Sequence, residues 1–185
     1  MEERFDICDG DGRLTGETAT RSEAHRLGLM HRASHIWIVR KGSGGTELLL
    51  QKRCAEKDSF PGCYDISSAG HIQSGDGPLE SALRELQEEL GIQASEGDLA
   101  YAGKFRMDAE RIFRGMPFRN HEVSYLYVYT KPVDISLLKL QKSEVESVRW
   151  ENICAVEKKL EVGDPSYCCS AGGFELLKKW LRENS

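Results

Sequence analysis

Residues 70–92 read GHIQSGDGPLESALRELQEELGI, and the organisation of the whole chain turns on how this stretch folds. Leu79, Ala82, Leu83, Leu86 and Leu90 recur at spacings of three and four, which predicts a helix over 79–90 with one apolar stripe against a core. Gly91 follows directly, and glycine readily takes the left-handed conformation that ends a helix. Glu85, Glu88 and Glu89 stand at i, i+3 and i+4, so their carboxylates are neighbours on a face beside that stripe. Like charges at these spacings destabilise a helix by a few tenths of a kcal/mol per pair, and an oxygen-seeking cation such as Mg²⁺ removes the repulsion. Alone, such an acidic face is usually solvated decoration. Here a glycine-bearing loop at 70–76 feeds the helix N-terminus from a short strand, bringing backbone polar groups near the carboxylates. Asp76 lies near the helix start, where the helix dipole favours a negative charge.

Outward from this unit the chain alternates strands and helices. Residues 34–39 (Ser-His-Ile-Trp-Ile-Val) are rich in β-branched and aromatic side chains and predict a strand. The glycine-rich turn at 42–45 joins it to a hairpin partner at 47–51. A polar loop with Pro61-Gly62 leads to a short strand near 65–68. Further strands are expected at 101–105, 123–129 and 148–150, with helices near 153–160 and 173–181. At the start, residues 5–8 suit a short strand, and Asp9-Gly10-Asp11-Gly12 supplies turn chemistry for a hairpin. Read instead as a calcium loop beginning at Asp9, this stretch would need a closing Glu at position 20, which is Thr20. The pattern predicts an α/β (α+β sandwich) class, with a mixed β-sheet flanked by helices.

Length and composition narrow the functional classes. The 185 residues suit one domain, and 39% hydrophobic with 30% charged residues is ordinary for a globular chain. The net charge of −5 argues against a protein that coats a nucleic-acid polymer. No apolar run approaches the roughly 18 residues that span a bilayer, so no membrane partner is expected. The acidic start Met1-Glu2-Glu3-Arg4 has no apolar segment behind it, which makes a secretory signal unexpected and a cytoplasmic location the default. Six cysteines form no C-x-x-C pair, and the adjacent Cys168 and Cys169 are poorly placed to bond each other, so reduced thiols are expected.

With Gly70, five residues, Asp76, seven residues, and then Arg84-Glu85-Leu86-x-Glu88-Glu89-x-Gly91-Ile92, the stretch resembles the signature box of the Nudix hydrolase superfamily. The one departure is Asp76, where the family usually has Glu; the charge is retained. The resemblance implies a single Nudix domain over 1–185, with 1–30 as an N-terminal hairpin or extension and 70–92 as the box. It further implies that Glu85, Glu88 and Glu89, with the Gly70 carbonyl, hold Mg²⁺ or alternatively Mn²⁺. Arg84 would orient Glu85 by an ion pair, and one carboxylate would also serve as base. The reaction implied is attack of water on the diphosphate linkage of a small-molecule substrate.

A second stretch resembles one branch of that superfamily. Arg53-x-x-x-Lys57-x-x-x-Pro61-Gly62-x-Tyr64, followed by Ser67-x-x-Gly70-His71, is similar to the region before the box in isopentenyl-diphosphate isomerases. There the Arg and Lys grip the diphosphate, which assigns substrate binding to Arg53 and Lys57, with His71 as a further contact or ligand. His25, His31 and His71, with Glu122, resemble the same group's metal site, although a second Glu is replaced by Asn120. Glu122 is therefore an extra ligand or base. Isomerisation needs a Cys immediately before Gly-His, and this chain has Ala69, which carries no proton. Hydrolysis of a nucleoside-diphosphate-type or prenyl-diphosphate compound is the leading expectation. An isomerase-like enzyme is the alternative, and a non-catalytic diphosphate-binding module the second alternative. Tyr64, Phe105, Phe113, Phe118 and Tyr167 are candidates for the wall that selects the substrate, and a homodimer is left open.

Overall fold

The computed structural model describes residues 2–57, 59–113 and 115–184. The side chains of Phe113 and Met116 lie outside the described set, and with them the reading of Phe113 as part of the pocket wall. The elements run β1 (Arg4–Cys8), β2 (Leu14–Thr20), α1 (Arg21–Leu27), β3 (His31–Gly42), β4 (Gly45–Arg53), β5 (Tyr64–Asp65), β6 (Ser68–His71) and α2 (Pro78–Leu90). After these come β7 (Leu99–Phe113), β8 (Met116–Tyr129), β9 (Val145–Asn152), α3 (Ile153–Glu161) and α4 (Ala171–Glu183).

The long strand β3 organises a seven-stranded mixed sheet. Its first half pairs with β6 on one side (Ala33↔His71, His35↔Ala69) and runs parallel to β8 on the other (His31↔Glu122, His35↔Leu126). Its second half turns into a hairpin with β4, which pairs onward with β9 and β5. Because β3 is covered on both faces, its apolar residues run on without a polar break. Ile36 and Ile38 face a cluster with Ala82, Leu86 and Leu90 of α2. Trp37 and Val39 face the opposite cluster, with Val156 of α3 and Phe174 and Leu177 of α4. The helix–sheet–helix sandwich expected from the pattern is therefore what forms.

Helix α2 carries the expected stripe, with Pro78 in its first turn and Gly91 (φ 72°) accepting the left-handed cap. The Gly91 and Ile92 amides return to the Gln87 and Leu86 carbonyls and close the helix end. Two features exceed the sequence expectation. Helix α1 forms after the hairpin because Thr20 and Glu23 cap each other reciprocally and Gly28 (φ 68°) ends it. Strands β7 and β8 run well past 101–105 and 123–129 to a turn at Gly115, paired residue by residue. Charged residues such as Arg106, Asp108 and Glu110 hide this ribbon from a hydrophobic pattern, yet β7 and β8 stay paired along it, with one register shift between Tyr101 and Gly103.

Candidate active site

The box helix meets β6 through carboxylates rather than through its apolar stripe. Glu85 and Glu89 are 9% and 6% exposed, while the Glu88 side chain is 52% exposed at the rim. A Cβ added at Gly70 would stand 2.1 Å from Glu85 Cδ, so only glycine lets the strand pass this close to the carboxylate. Glu89 accepts hydrogen bonds from the Ala69 amide (3.3 Å) and from Gln51 Nε2 (3.5 Å). Arg84 Nη1 pairs with Glu85 Oε1 at 2.8 Å and with Glu88 Oε2 at 3.4 Å, and Nη2 donates to the His71 carbonyl at 3.3 Å. Burial raises the Glu85 carboxyl to about 7, against the opposing pull of Arg84. Burial also raises Glu89 to about 8, with Glu85 pushing the same way. Two carboxyls so placed are short of positive charge, and their geometry fits a hard divalent cation.

The same cleft is lined by two cationic residues, Arg53 at the end of β4 and Lys57 in the polar loop that follows. Arg53 donates to the Ser59 carbonyl (3.0 and 3.1 Å) and to Asp65 (3.2 Å), and Lys57 pairs with Glu144. The carboxylates of α2, the loop cations and His71 all line one cleft of about 960 Å³. The structure thus brings Arg53, Lys57, Gly70, His71, Arg84, Glu85, Glu88, Glu89 and Glu122 to one cleft, with Phe118 of the expected pocket wall, while Tyr64, Phe105 and Tyr167 do not line it.

A second cluster lies deeper, where β1, α1 and the first residues of β3 meet. The ligand atoms of His25, His31 and His71 lie within 4.8 Å of one another. Among the described residues, His25 Nε2 and His31 Nε2 are buried with no hydrogen-bond partner. Phe5 stacks on His31 (5.0 Å) and on His71 (4.7 Å), so the N-terminal hairpin forms part of the site wall. Asp6 reinforces this by accepting from Ser74 Oγ, the Gly75 amide and Arg32, which ties β1 to the loop entering α2. Glu122 stands 4.0 Å from His71 Nε2 and accepts from His35 Nε2 (3.2 Å), Ser124 Oγ (2.8 Å) and Asn120 Nδ2 (2.9 Å). Burial opposes its charge, but the His35 hydrogen bond and the neighbouring imidazoles hold it well below the usual carboxylate range.

Sequence reading passed over His35, whose signal was the alternation of β3: His31, Ala33 and His35 share one face. Asp65 and Glu144, which steady Arg53 and Lys57, carried no such signal, because they come from distant segments.

The histidine cluster makes one prediction of its own. Burial lowers His25 to about 4, and lowers His31 and His71 as well. A depressed histidine binds fewer protons when folded, so its stability contribution is present above about pH 6.5 and is lost as pH falls toward 4. For His25 alone the loss at pH 5 is about 2 kcal/mol. Thermal unfolding of chelator-treated protein at pH 7.5 and pH 5 is expected to show that drop, and a His25→Phe variant a shallower one.

The comparisons agree with this geometry. A NUDIX domain model matches residues 30–167, well over half of the chain, and the chain belongs to the Nudix family. Members of the family are enzymes that hydrolyse phosphoric anhydrides. Nudix hydrolase 3 of Arabidopsis thaliana is 40% identical over 168 residues; the match takes in 90% of this chain, which spans only 21% of that protein's length. An isopentenyl-diphosphate Δ-isomerase of Cereibacter sphaeroides is 29% identical over 151 residues, 82% of this chain and 78% of that one. A crystal structure from Deinococcus radiodurans superposes with a TM-score of 0.70 over 96% of this chain and 98% of that one; at 18% identity it speaks for the fold alone. Among the described residues no helix is long and apolar enough to cross a membrane.

Proposed function

We propose that this chain is a divalent-metal-dependent hydrolase that cleaves the diphosphate linkage of a small nucleoside-diphosphate-type or prenyl-diphosphate compound. The observation that carries this reading is one cleft lined both by Glu85, Glu88 and Glu89 and by Arg53 and Lys57. Its volume of about 960 Å³ suits a substrate of that size. Glu85, Glu88, Glu89 and the Gly70 carbonyl would hold Mg²⁺, or Mn²⁺ in its place. A cation held by these residues would supply charge neutralisation at the phosphoryl oxygens and a lowered pKa for the attacking water.

The chain's own groups do the rest. Arg84 locks Glu85 in place. Arg53 and Lys57 take the phosphate oxygens, Arg53 as a fork and Lys57 as a point charge. Glu88, the most exposed of the three carboxylates, would receive the water's proton. Glu122 is held too far below the carboxylate range to be an effective base. It suits a ligand role beside His25, His31 and His71.

A screen over nucleoside diphosphate derivatives, dinucleoside polyphosphates and prenyl diphosphates with Mg²⁺ or Mn²⁺ tests the reading. Failure to release phosphate, a monophosphate or pyrophosphate from any of them would sink it. Lys57→Gln should raise KM about tenfold with kcat nearly kept, since one charge-assisted contact is worth roughly 1.5 kcal/mol. Its melting temperature should stay within about a degree, because a partly exposed pair with Glu144 contributes little.

The His25–His31–His71 group favours a second reading, an isomerase-like enzyme. Ala69 lies on the cleft where that chemistry needs a thiol. Dimethylallyl diphosphate formed from isopentenyl diphosphate would decide for this second reading. A module that only binds diphosphates would have no use for three intact carboxylates in this arrangement.

A further inference from the structure

Strand β7 ends one side of the sheet. It pairs with β8, and among the described residues no strand pairs with its other edge. A long open edge presents a row of peptide groups that can pair with a further strand. The usual protections are missing over most of its length. The one register shift lies near the start, between Tyr101 and Gly103, so residues 103–111 run on without a bulge, and they contain no proline.

Along this segment the two faces differ. Lys104, Arg106, Asp108 and Glu110 are exposed, while Phe105, Met107 and Ala109 are half-buried on the opposite face. The turn after β1 touches the charged face near its start, where Lys104 donates to the Asp11 carbonyl. Arg106 pairs with Asp108 (2.7 and 3.0 Å), yet the two side chains stay 52% and 42% exposed. Two positive charges are therefore followed by two negative ones on a single face, a pattern complementary to its own reverse. When identical edges pair antiparallel, a two-fold axis relates them, and each residue faces one from the same side of the strand. Centred on Met107, the pairing sets Arg106 against Asp108 and Lys104 against Glu110, in both directions. Centring on Phe105 or Ala109 opposes like charges, Lys104 to Arg106 or Asp108 to Glu110. Centring on Arg106 or Asp108 sets that residue against its own copy. Of these registers only the one at Met107 meets every charge with its opposite.

We propose that the free edge of β7 is a dimerisation surface, on which a second copy of this chain pairs antiparallel about Met107 to form one sheet across both copies. The half-buried face of the same segment, with Met107 and Ala109, lines the cleft, so the added strand extends the cleft wall. The inference goes beyond the hydrolase reading and stands or falls without it.

Sedimentation velocity of the full chain over a range of concentrations tests the pairing. Wild type is expected to form dimers that weaken as salt rises, because exposed ion pairs are screened. Arg106→Asp and Asp108→Arg each place like charges opposite one another at two points of the interface. Either variant alone should raise the dimer dissociation constant at least about thirtyfold, since two cross-strand pairs turn from attraction to repulsion. Both should keep the parent's circular dichroism spectrum, because the replaced side chains are exposed. An equimolar mixture of the two should restore near wild-type affinity, because the acidic pair of one chain then faces the basic pair of the other. Lys104→Glu and Glu110→Lys, reversed and mixed in the same way, give an independent reading should a first variant misfold. The proposal is overturned if wild type stays monomeric at millimolar concentration, which would leave the edge to another protein's strand or to none. It is also overturned if either reversal leaves the dimer intact, or if the mixture stays as monomeric as its components.

Discussion

Glu89→Gln is expected to lower turnover by roughly 10³-fold while the protein stays folded. The amide keeps the shape that Gln51 and the Ala69 amide contact, but it cannot hold a cation with full charge. Several kcal/mol of charge stabilisation then leave the transition state, and each 1.36 kcal/mol is about tenfold in rate. Stability should move the other way in chelator-treated protein. The folded carboxyl is raised to about 8, so its contribution to stability is intact below about pH 4.5 and lost as pH rises through 8. The neutral amide escapes that loss, and the variant should melt higher than the parent at pH 8. Glu88→Gln, at the exposed rim, should lose turnover with little change in stability either way. Full activity in either variant against a confirmed substrate would mean the site is elsewhere.

Adding Mg²⁺ to chelator-treated protein is expected to raise the melting temperature by about 5–10 °C at a hundredfold excess over its dissociation constant. Mass action at that excess is worth about 2.7 kcal/mol, and for a chain of this length each kcal/mol moves the midpoint by about 2–4 °C. The shift should be larger at pH 8 than at pH 6. Glu85 and Glu89, raised to about 7 and 8, must give up protons before a cation can bind, so acid competes with the metal. Without metal, the box carboxylates lose stability toward alkaline pH and the histidine cluster loses it toward acid. Differential scanning at several pH values with and without Mg²⁺ reads both arms. An equal shift at pH 6 and pH 8 would show that these carboxyls are not the ligands.

What could be read in advance followed from local periodicity. The stripe from Leu79 to Leu90 and the cap at Gly91 place α2, and the β-branched run at 34–39 places the middle of β3, because burial of one helix face or of two sheet faces leaves a periodic mark. Helix α1 was missed although Thr20, Glu23 and Gly28 were all legible, since seven mostly polar residues show no stripe. The strands at 101–105 and 123–129 were legible, but their extension into the long β7–β8 ribbon was not, because that part is held by paired peptide groups rather than by apolar side chains.

The carboxylates between residues 84 and 89 could be recognised from sequence alone, as could the segments holding Arg53, Lys57 and the histidines. Spacing along a helix is a property of the chain itself. Their convergence on one cleft, the burial that raises Glu85 and Glu89, and the pairing of Lys57 with Glu144 were decided by tertiary structure. These depend on distances between segments far apart in sequence, and on how much water the fold removes from each group. No local pattern of residues records either quantity.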